Sequence, residues 1–317
     1  MSVPNATEGH PLAAPTRASV EAAAAVIDGL VRTTPVLRVR GDELGVGPDV
    51  SFKLEHLQHS GTFKARGAAN FINSMDIPPA GVVAASGGNH GAAVAWAARS
   101  AGHTASIFVP TISSPAKVAR LHRYGADVHQ VGAVYADALA ASLVHQTRSG
   151  ARAIHAYDDP IVMSGAGTVA KEFLSQAPSL DAMLVACGGG GLSGGMASWL
   201  AGSLPLIVCE TEGTSAFAAA LDAGHPVDVS ISGIAADALG ATRIGDNPWL
   251  ALQHSQSMVV TDAETRSAQA LLWEQFRIAV EPAAATPLAA LCSGRIDLDD
   301  KRHVGIVLCG ANVTLTL

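Results

Sequence analysis

Met183-Leu184-Val185-Ala186 runs directly into Cys187-Gly188-Gly189-Gly190-Gly191-Leu192-Ser193-Gly194-Gly195, and this junction decides the fold. Four apolar residues bounded by glycine read as a short buried strand. The glycines after it open a helix. Consecutive glycines let backbone N–H groups converge on one point, and the helix N-terminus adds partial positive charge there. Phosphate suits such a cradle. The plainer reading is a tight strand-to-helix turn, but four glycines exceed what a turn needs. No Gly-Lys-Ser/Thr follows, so a Walker A loop is excluded. Gly188, Gly190 and Ser193 match the dinucleotide fingerprint only loosely, without an acidic ribose partner.

Outward from the junction, the same alternation repeats. Residues 36–39, 51–55, 82–85, 106–109, 127–131, 153–155, 206–209 and 305–308 read as further short strands. Between them lie helical patterns. Ser19 can cap a helix with Ala23, Ile27, Leu30 and Val31 on one face, stopped by Pro35. Others cover 116–124, 135–147 and 167–174, and Lys64 begins one running through Ala68 and Phe71. Such β-α alternation predicts parallel sheets with helices on both faces, and ligands in such folds lie beyond the carboxyl ends of the strands.

Two more small-residue segments follow strands and so fall on that side. Ser60-Gly61-Thr62-Phe63-Lys64-Ala65-Arg66-Gly67 offers one lysine among small residues. A buried amine has a lowered pKa and becomes a nucleophile able to form a Schiff base. The alternative is a surface lysine at a helix start beside Arg66. Ser86-Gly87-Gly88-Asn89-His90-Gly91 offers unhindered amides suited to a carboxylate, and Asn89 could donate to a ring oxygen. A glycine turn with Asn in left-handed geometry is the competing reading. Cys309 ends an apolar strand before Gly310-Ala311-Asn312 and is either a core thiol or a neutral partner for a pyridine nitrogen.

Composition removes other classes. The net charge of −7 gives no basic footprint for nucleic acid. No uncharged apolar run reaches membrane-spanning length and no signal peptide opens the chain, so a cytoplasmic small-molecule enzyme is expected. Cys187, Cys209, Cys292 and Cys309 lack CxxC spacing and read as reduced buried thiols. The histidines show no HExxH spacing, and Ser164 stands before the first glycine of its segment, which is no GxSxG elbow. Residues 1–16 read as a loose arm.

Taken together, these segments resemble the threonine/serine dehydratase family of fold-type II pyridoxal-phosphate enzymes, relatives of serine racemase. The likeness runs from Thr34-Pro35-Val36 to the C-terminus and includes Asp158-Asp159-Pro160, Glu281-Pro282 and Cys309-Gly310-Ala311-Asn312 in order. It implies an α/β, tryptophan synthase β-like fold of two doubly wound domains with the active site in the cleft between them. Residues 1–75 and 156–317 would form the large domain, and 76–155 the small inserted one. By resemblance, Lys64 would hold pyridoxal 5′-phosphate as a Schiff base and serve as the catalytic base. Phe63 would pack on the ring, Asn89 would bind its 3′-oxygen, and Gly188, Gly189, Gly190, Gly191 and Leu192 would hold the phosphate. Cys309 would face the ring nitrogen, and Ser86, Gly87, Gly88, Asn89 and His90 would receive the substrate carboxylate.

The implied activity is α,β-elimination from a small β-hydroxy amino acid, giving a 2-keto acid and ammonia. An amino-acid racemase and a cysteine-synthase-like β-replacement transferase are the alternatives. A homodimer is the family expectation. Gly87 stands where racemases carry a second serine, His90 and the four glycines depart from the replacement enzymes, and Ala166 and Ala238 depart from the dehydratase pattern near the expected pocket. Glu210 fits the acid of a divalent-cation site, but Ala216 replaces the expected aspartate, so no metal ligands are assigned.

Overall fold

Among the described residues, every neighbouring pair of strands but one is parallel. The computed structural model describes residues 12–298 and 302–313. Its larger sheet has the order β1-β2-β10-β7-β8-β9, from β1 (Val36–Val39), β2 (Asp49–Lys53), β7 (Ala182–Ala186), β8 (Leu206–Thr211), β9 (Gln256–Val260) and β10 (His303–Val307). The smaller runs β5-β4-β3-β6, from β3 (Val82–Ala85), β4 (Ala105–Val109), β5 (Asp127–Gln130) and β6 (Arg152–Ala153). The exception is β1, antiparallel to β2. Strands β7, β8 and β10 are buried along their whole length, as a sheet covered on both faces requires. Each fully buried Val, Leu or Ile there contributes about 1.5–3 kcal/mol.

The helices in chain order are α1 (Arg17–Val26), α2 (Gly41–Leu44), α3 (Lys64–Ser74), α4 (Asn89–Ser100), α5 (Pro115–Arg123), α6 (Tyr135–Ser149) and α7 (Pro160–Gln176). After them come α8 (Gly191–Leu200), α9 (Ala216–Ala223), α10 (Ala236–Leu239), α11 (Asp246–Leu252), α12 (Asp262–Phe276) and α13 (Pro282–Cys292). The four-stranded sheet and α4 to α6 lie within the segment expected as the small domain.

Local chemistry moves several boundaries. Thr16, not Ser19, caps α1, while Ser19 closes the capping box from its third position; the helix ends at Val26, and Gly29 turns at φ 69°. Residues 1–11 of the expected arm lie outside the described residues, but the Ala13 N–H donates to Asn247 Oδ1 at 2.8 Å. The strand expected over 51–55 is β2, displaced by two residues. Glu55 turns into a 3-10 segment, so a looped stretch separates β2 from Lys64. The helix expected from 167 starts at Pro160, where Asp159 accepts from the Ile161 and Val162 N–H groups. Cys292 is exposed, unlike the other three cysteines, because it ends α13.

Helix α7 organises the interior. A Cβ on Gly165 would lie 2.6 Å from the Arg66 carbonyl oxygen, and one on Gly167 would lie 2.5 Å from that of Gly195. Bare backbone therefore lets α7 press against both α3, which carries Lys64, and α8, which leaves the glycine loop. Below this crossing, a buried ionic cluster fastens α3. Arg66 reaches Glu55 Oε1 at 2.7 Å and Glu172 Oε1 at 3.0 Å, and Lys53 donates to Glu172 and to Gln176 Oε1 at 2.6 Å. Two cations face two carboxylates, which is what burial of such charges demands.

Candidate active site

Lys64 is brought to its place by a short backbone ladder. The Phe63 N–H donates to the Cys309 carbonyl and the Ala311 N–H to the Gly61 carbonyl, each at 3.0 Å, with Thr62 bridged to Gly310 between them. The segment after β2 thus lies against the segment after β10. Lys64 Nζ donates to the Ala156 carbonyl at 2.8 Å and sits 5.2 Å from the centroid of the Phe63 ring. Loss of water pushes its ammonium down to about 8, with Cys309 and Glu281 pulling the other way. Burial pushes the Cys309 thiol upward, so it stays protonated and neutral.

The Ser86 loop joins β3 to α4. The Gly88 N–H donates to Ser86 Oγ at 3.3 Å, and a Cβ on Gly91 would strike the Ser86 carbonyl, so the loop folds back on its own helix. Asn89 opens α4 and donates through Nδ2 to Glu281 Oε1 at 2.8 Å and Oε2 at 3.0 Å. Its Oδ1 is buried without a partner. Asn89 thus turns its amide nitrogen toward Glu281 and leaves its buried oxygen as an acceptor without a partner. The His90 ring bonds through Nε2 to the Ile154 carbonyl at 3.0 Å, and burial pushes its pKa down to about 3. That ring is neutral and committed; only the backbone N–H of His90 remains to meet an anion.

The glycine loop follows β7. Gly190 adopts φ 90° as the N-cap of α8, a left-handed conformation that favours glycine. A Cβ on Gly189 would lie 2.4 Å from the Tyr157 ring, and one on Gly188 would lie 2.9 Å from Leu239 Cα. Tyr157 thus rests on the loop while its neighbour Ala156 holds Lys64. Leu239 belongs to α10, whose Asp237 carbonyl approaches Gly88. Leu192 buries its side chain in the core, leaving only backbone to the loop.

Lys64, Asn89 and Cys309 are gathered near Glu281, Phe63 adjoins Lys64, and the Ala156-Tyr157 pair joins them to the glycine loop. Ala166 is buried on α7, in the same apolar cluster as Leu192 and Cys309. Sequence reading missed Glu281, Tyr157 and Asn312 as site residues, since each owes its place to contacts made across the fold. Glu281 and Asn312 stood in segments that carry the resemblance, but neither was given a role. Glu210 uses both oxygens to accept from the Phe217 and Ala218 N–H groups at 2.8 Å, capping α9. Among the described residues, no group of three His, Cys, Asp or Glu side chains could hold a metal ion.

The arrangement fits pyridoxal phosphate. A bare amide cradle suits its phosphate, an amine of lowered pKa its aldehyde, the neutral Cys309 thiol its ring nitrogen, and the unpartnered Asn89 Oδ1 a protonated ring hydroxyl.

The comparisons with known proteins agree. A family model described as pyridoxal-phosphate dependent enzyme matches residues 27–310. The chain is 39% identical over 294 residues to phenylserine dehydratase of Ralstonia pickettii, covering 89% of this chain and 88% of that protein. It is 35% identical over 291 residues to L-threonine ammonia-lyase of Geobacter sulfurreducens, covering 89% and 72%. The solved structure of maize serine racemase is similar with a TM-score of 0.90 at 33% identity, over 95% of each chain.

Proposed function

The chain belongs to the pyridoxal-phosphate-dependent enzymes and is a lyase among them, and from that premise we propose that it eliminates the β-hydroxyl of a small β-hydroxy amino acid. The products are a 2-keto acid and ammonium. The reaction is redox-neutral: one water leaves as hydroxide plus a proton, and one water returns to release the nitrogen.

Bound pyridoxal phosphate supplies the electron sink that makes the substrate α-proton removable. The chain's own groups do the rest. Lys64, with its pKa lowered to about 8 by burial, is the base for the α-proton, and the Ala156 carbonyl orients its Nζ. Ser86, Gly87 and Gly88, with the first N–H groups of α4, receive the substrate carboxylate. Gly188 to Gly191 hold the phosphate, and the protonated Cys309 thiol leaves the ring nitrogen uncharged. The unit of residues 76–155, carrying the Ser86 loop, closes over the cleft.

The observation that carries this reading is the placement of Lys64 beside Cys309 with no side chain at Gly87. A racemase needs a second acid/base on the opposite face of the α-carbon, and Gly87 provides none. Racemisation, which the similarity to a serine racemase raises, is the second reading. The test offers L-threonine, L-serine and L-threo-phenylserine to the cofactor-loaded protein and follows 2-keto acid, ammonia and substrate chirality. Keto acid and ammonia in equal amounts, lost in Lys64→Ala, support elimination. Enantiomer interconversion without keto acid sinks it in favour of racemisation.

A further inference from the structure

Helix α5 belongs to the four-stranded unit, yet two of its side chains leave that unit altogether. Arg120 donates through Nη2 to the Ser60 carbonyl and through Nη1 to Asn312 Oδ1, each at 2.5 Å. Three residues earlier on the same helix, Lys117 pairs with Asp237 of α10. Ser60 and Asn312 are the outer ends of the two segments that form the Lys64–Cys309 ladder. Arg120 therefore clamps that ladder at its open end.

Asn312 is the hub of this contact. Its Oδ1 accepts from Arg120, its Nδ2 donates to Asp237 Oδ2 at 3.1 Å, and its N–H donates to Glu281 Oε2 at 3.1 Å. Glu281 in turn holds the Asn89 amide. An unbroken chain of polar contacts thus runs from Arg120 through Asn312 and Glu281 to Asn89. Ser60 sits at φ 55°, a conformation serine seldom adopts, and in it the carbonyl meets the guanidinium. The planar fork of an arginine presents separate donors to the two acceptors, one on each segment.

We infer that Arg120 is a positioning residue: it couples the docking of α5 to the register of the Lys64–Cys309 ladder and to the orientation of Asn89. This rests on the elimination proposed above only for its kinetic readout. It implies that substrate affinity, which depends on how the four-stranded unit seats its Ser86 loop, responds to a residue that touches neither substrate nor cofactor.

The test compares wild type, Arg120→Ala, Arg120→Lys, Asn312→Ala and the Arg120→Ala/Asn312→Ala double variant, all loaded with pyridoxal phosphate. Hydrogen exchange over residues 111–124 and the visible Schiff-base spectrum are read beside steady-state kinetics. Arg120→Ala is expected to speed exchange of α5, to shift the Schiff-base band and to lower kcat/KM about 10- to 100-fold, mostly through KM. Arg120→Lys recovers part of each effect. The double variant falls no further than the worse single one, as members of one network do. Unchanged exchange of α5 in Arg120→Ala overturns the inference, as do strictly additive losses in the double variant. If wild type releases no keto acid, the proposed reaction fails, while exchange and spectrum still decide the clamp.

Discussion

The Phe63 N–H and the Cys309 carbonyl are joined at 3.0 Å, so the residue before the reactive lysine is hydrogen-bonded two residues beyond β10, in the middle of the larger sheet. Through this bond Lys64 and the Cys309 thiol share one dry environment, and the lysine surrenders its proton easily.

That sharing sets the pH dependence of cofactor capture. Lys64 releases its proton near pH 8 in the folded chain and near 10.5 when unfolded, so the unfolded chain binds more protons between those values. Stability contributed by this group therefore rises with pH across that window. The rate of Schiff-base formation by cofactor-free protein, followed by stopped-flow absorbance, should rise through pH 8. A midpoint near 10 would contradict the burial of this amine.

Gly189 is predicted to tolerate no side chain. Gly189→Ala drives a methyl into the Tyr157 ring. Overpacking of this kind costs about 1–3 kcal/mol, and pyridoxal phosphate should dissociate about tenfold faster or more. Adding Tyr157→Ala should recover retention of the cofactor in dialysis. Failure of that rescue would mean the ring is not what limits the loop.

Gly87 behaves differently. A Cβ there would meet Val109 Cγ1 at 3.4 Å and Ser113 Oγ at 3.6 Å, which is ordinary contact. Gly87→Ser should fold with a stability change under about 1 kcal/mol. It should also gain exchange of the α-proton with solvent from the face opposite Lys64, measured by NMR in deuterium oxide. A loss of folding would show that the loop has less room than its geometry gives.

His90 predicts an acid limb. Its folded pKa of about 3 lies below the unfolded value of 6.5, so the unfolded chain binds the extra proton between them. The stability it contributes is complete above pH 6.5 and is lost as pH falls toward 3. Denaturant melts of His90→Gln between pH 7 and 4 should show a shallower decline than wild type. Parallel declines would remove His90 from the account.

The buried ionic cluster yields the largest expected loss. Arg66→Met leaves Glu55 and Glu172 with Lys53 alone; removing one partner of a buried pair costs about 3–5 kcal/mol. Chemical denaturation monitored by circular dichroism gives the number. A cost under about 1 kcal/mol would class the cluster with surface pairs.

The parallel α/β architecture was legible because short apolar strands alternate with small-residue turns, and β1 and β3 are bounded where their patterns stop. Helix α7 was half hidden. Gly165 and Gly167 look like loop residues locally, and only the crossings with α3 and α8 show why bare backbone is needed there. Strand β9 starts with Gln256 and Ser257 and is only partly buried, so it lacks the apolar run that marks its neighbours. Lys64, Asn89, Cys309 and the four glycines stood out by residue type. Glu281, Tyr157 and Asn312 did not, because one acid, one phenol and one amide acquire meaning only from contacts far along the chain. His90 shows the reverse: a polar residue in a suggestive loop whose ring serves the fold.

The strand order β1-β2-β10-β7-β8-β9 has a consequence for biosynthesis. The sheet's last strand in chain order, β10, lies between β2 and β7. As the chain leaves the ribosome, the four-stranded sheet has all its strands by residue 153, whereas the six-stranded one remains two separate pieces with facing open edges until residues 303–307 emerge. The β2 edge is open to other chains once residue 53 has emerged, and the β7 edge once residue 186 has. The ladder that carries Lys64 to Cys309 forms only once β10 has slotted in, so the nascent chain cannot acquire its reactive centre before the sheet that supports it is whole.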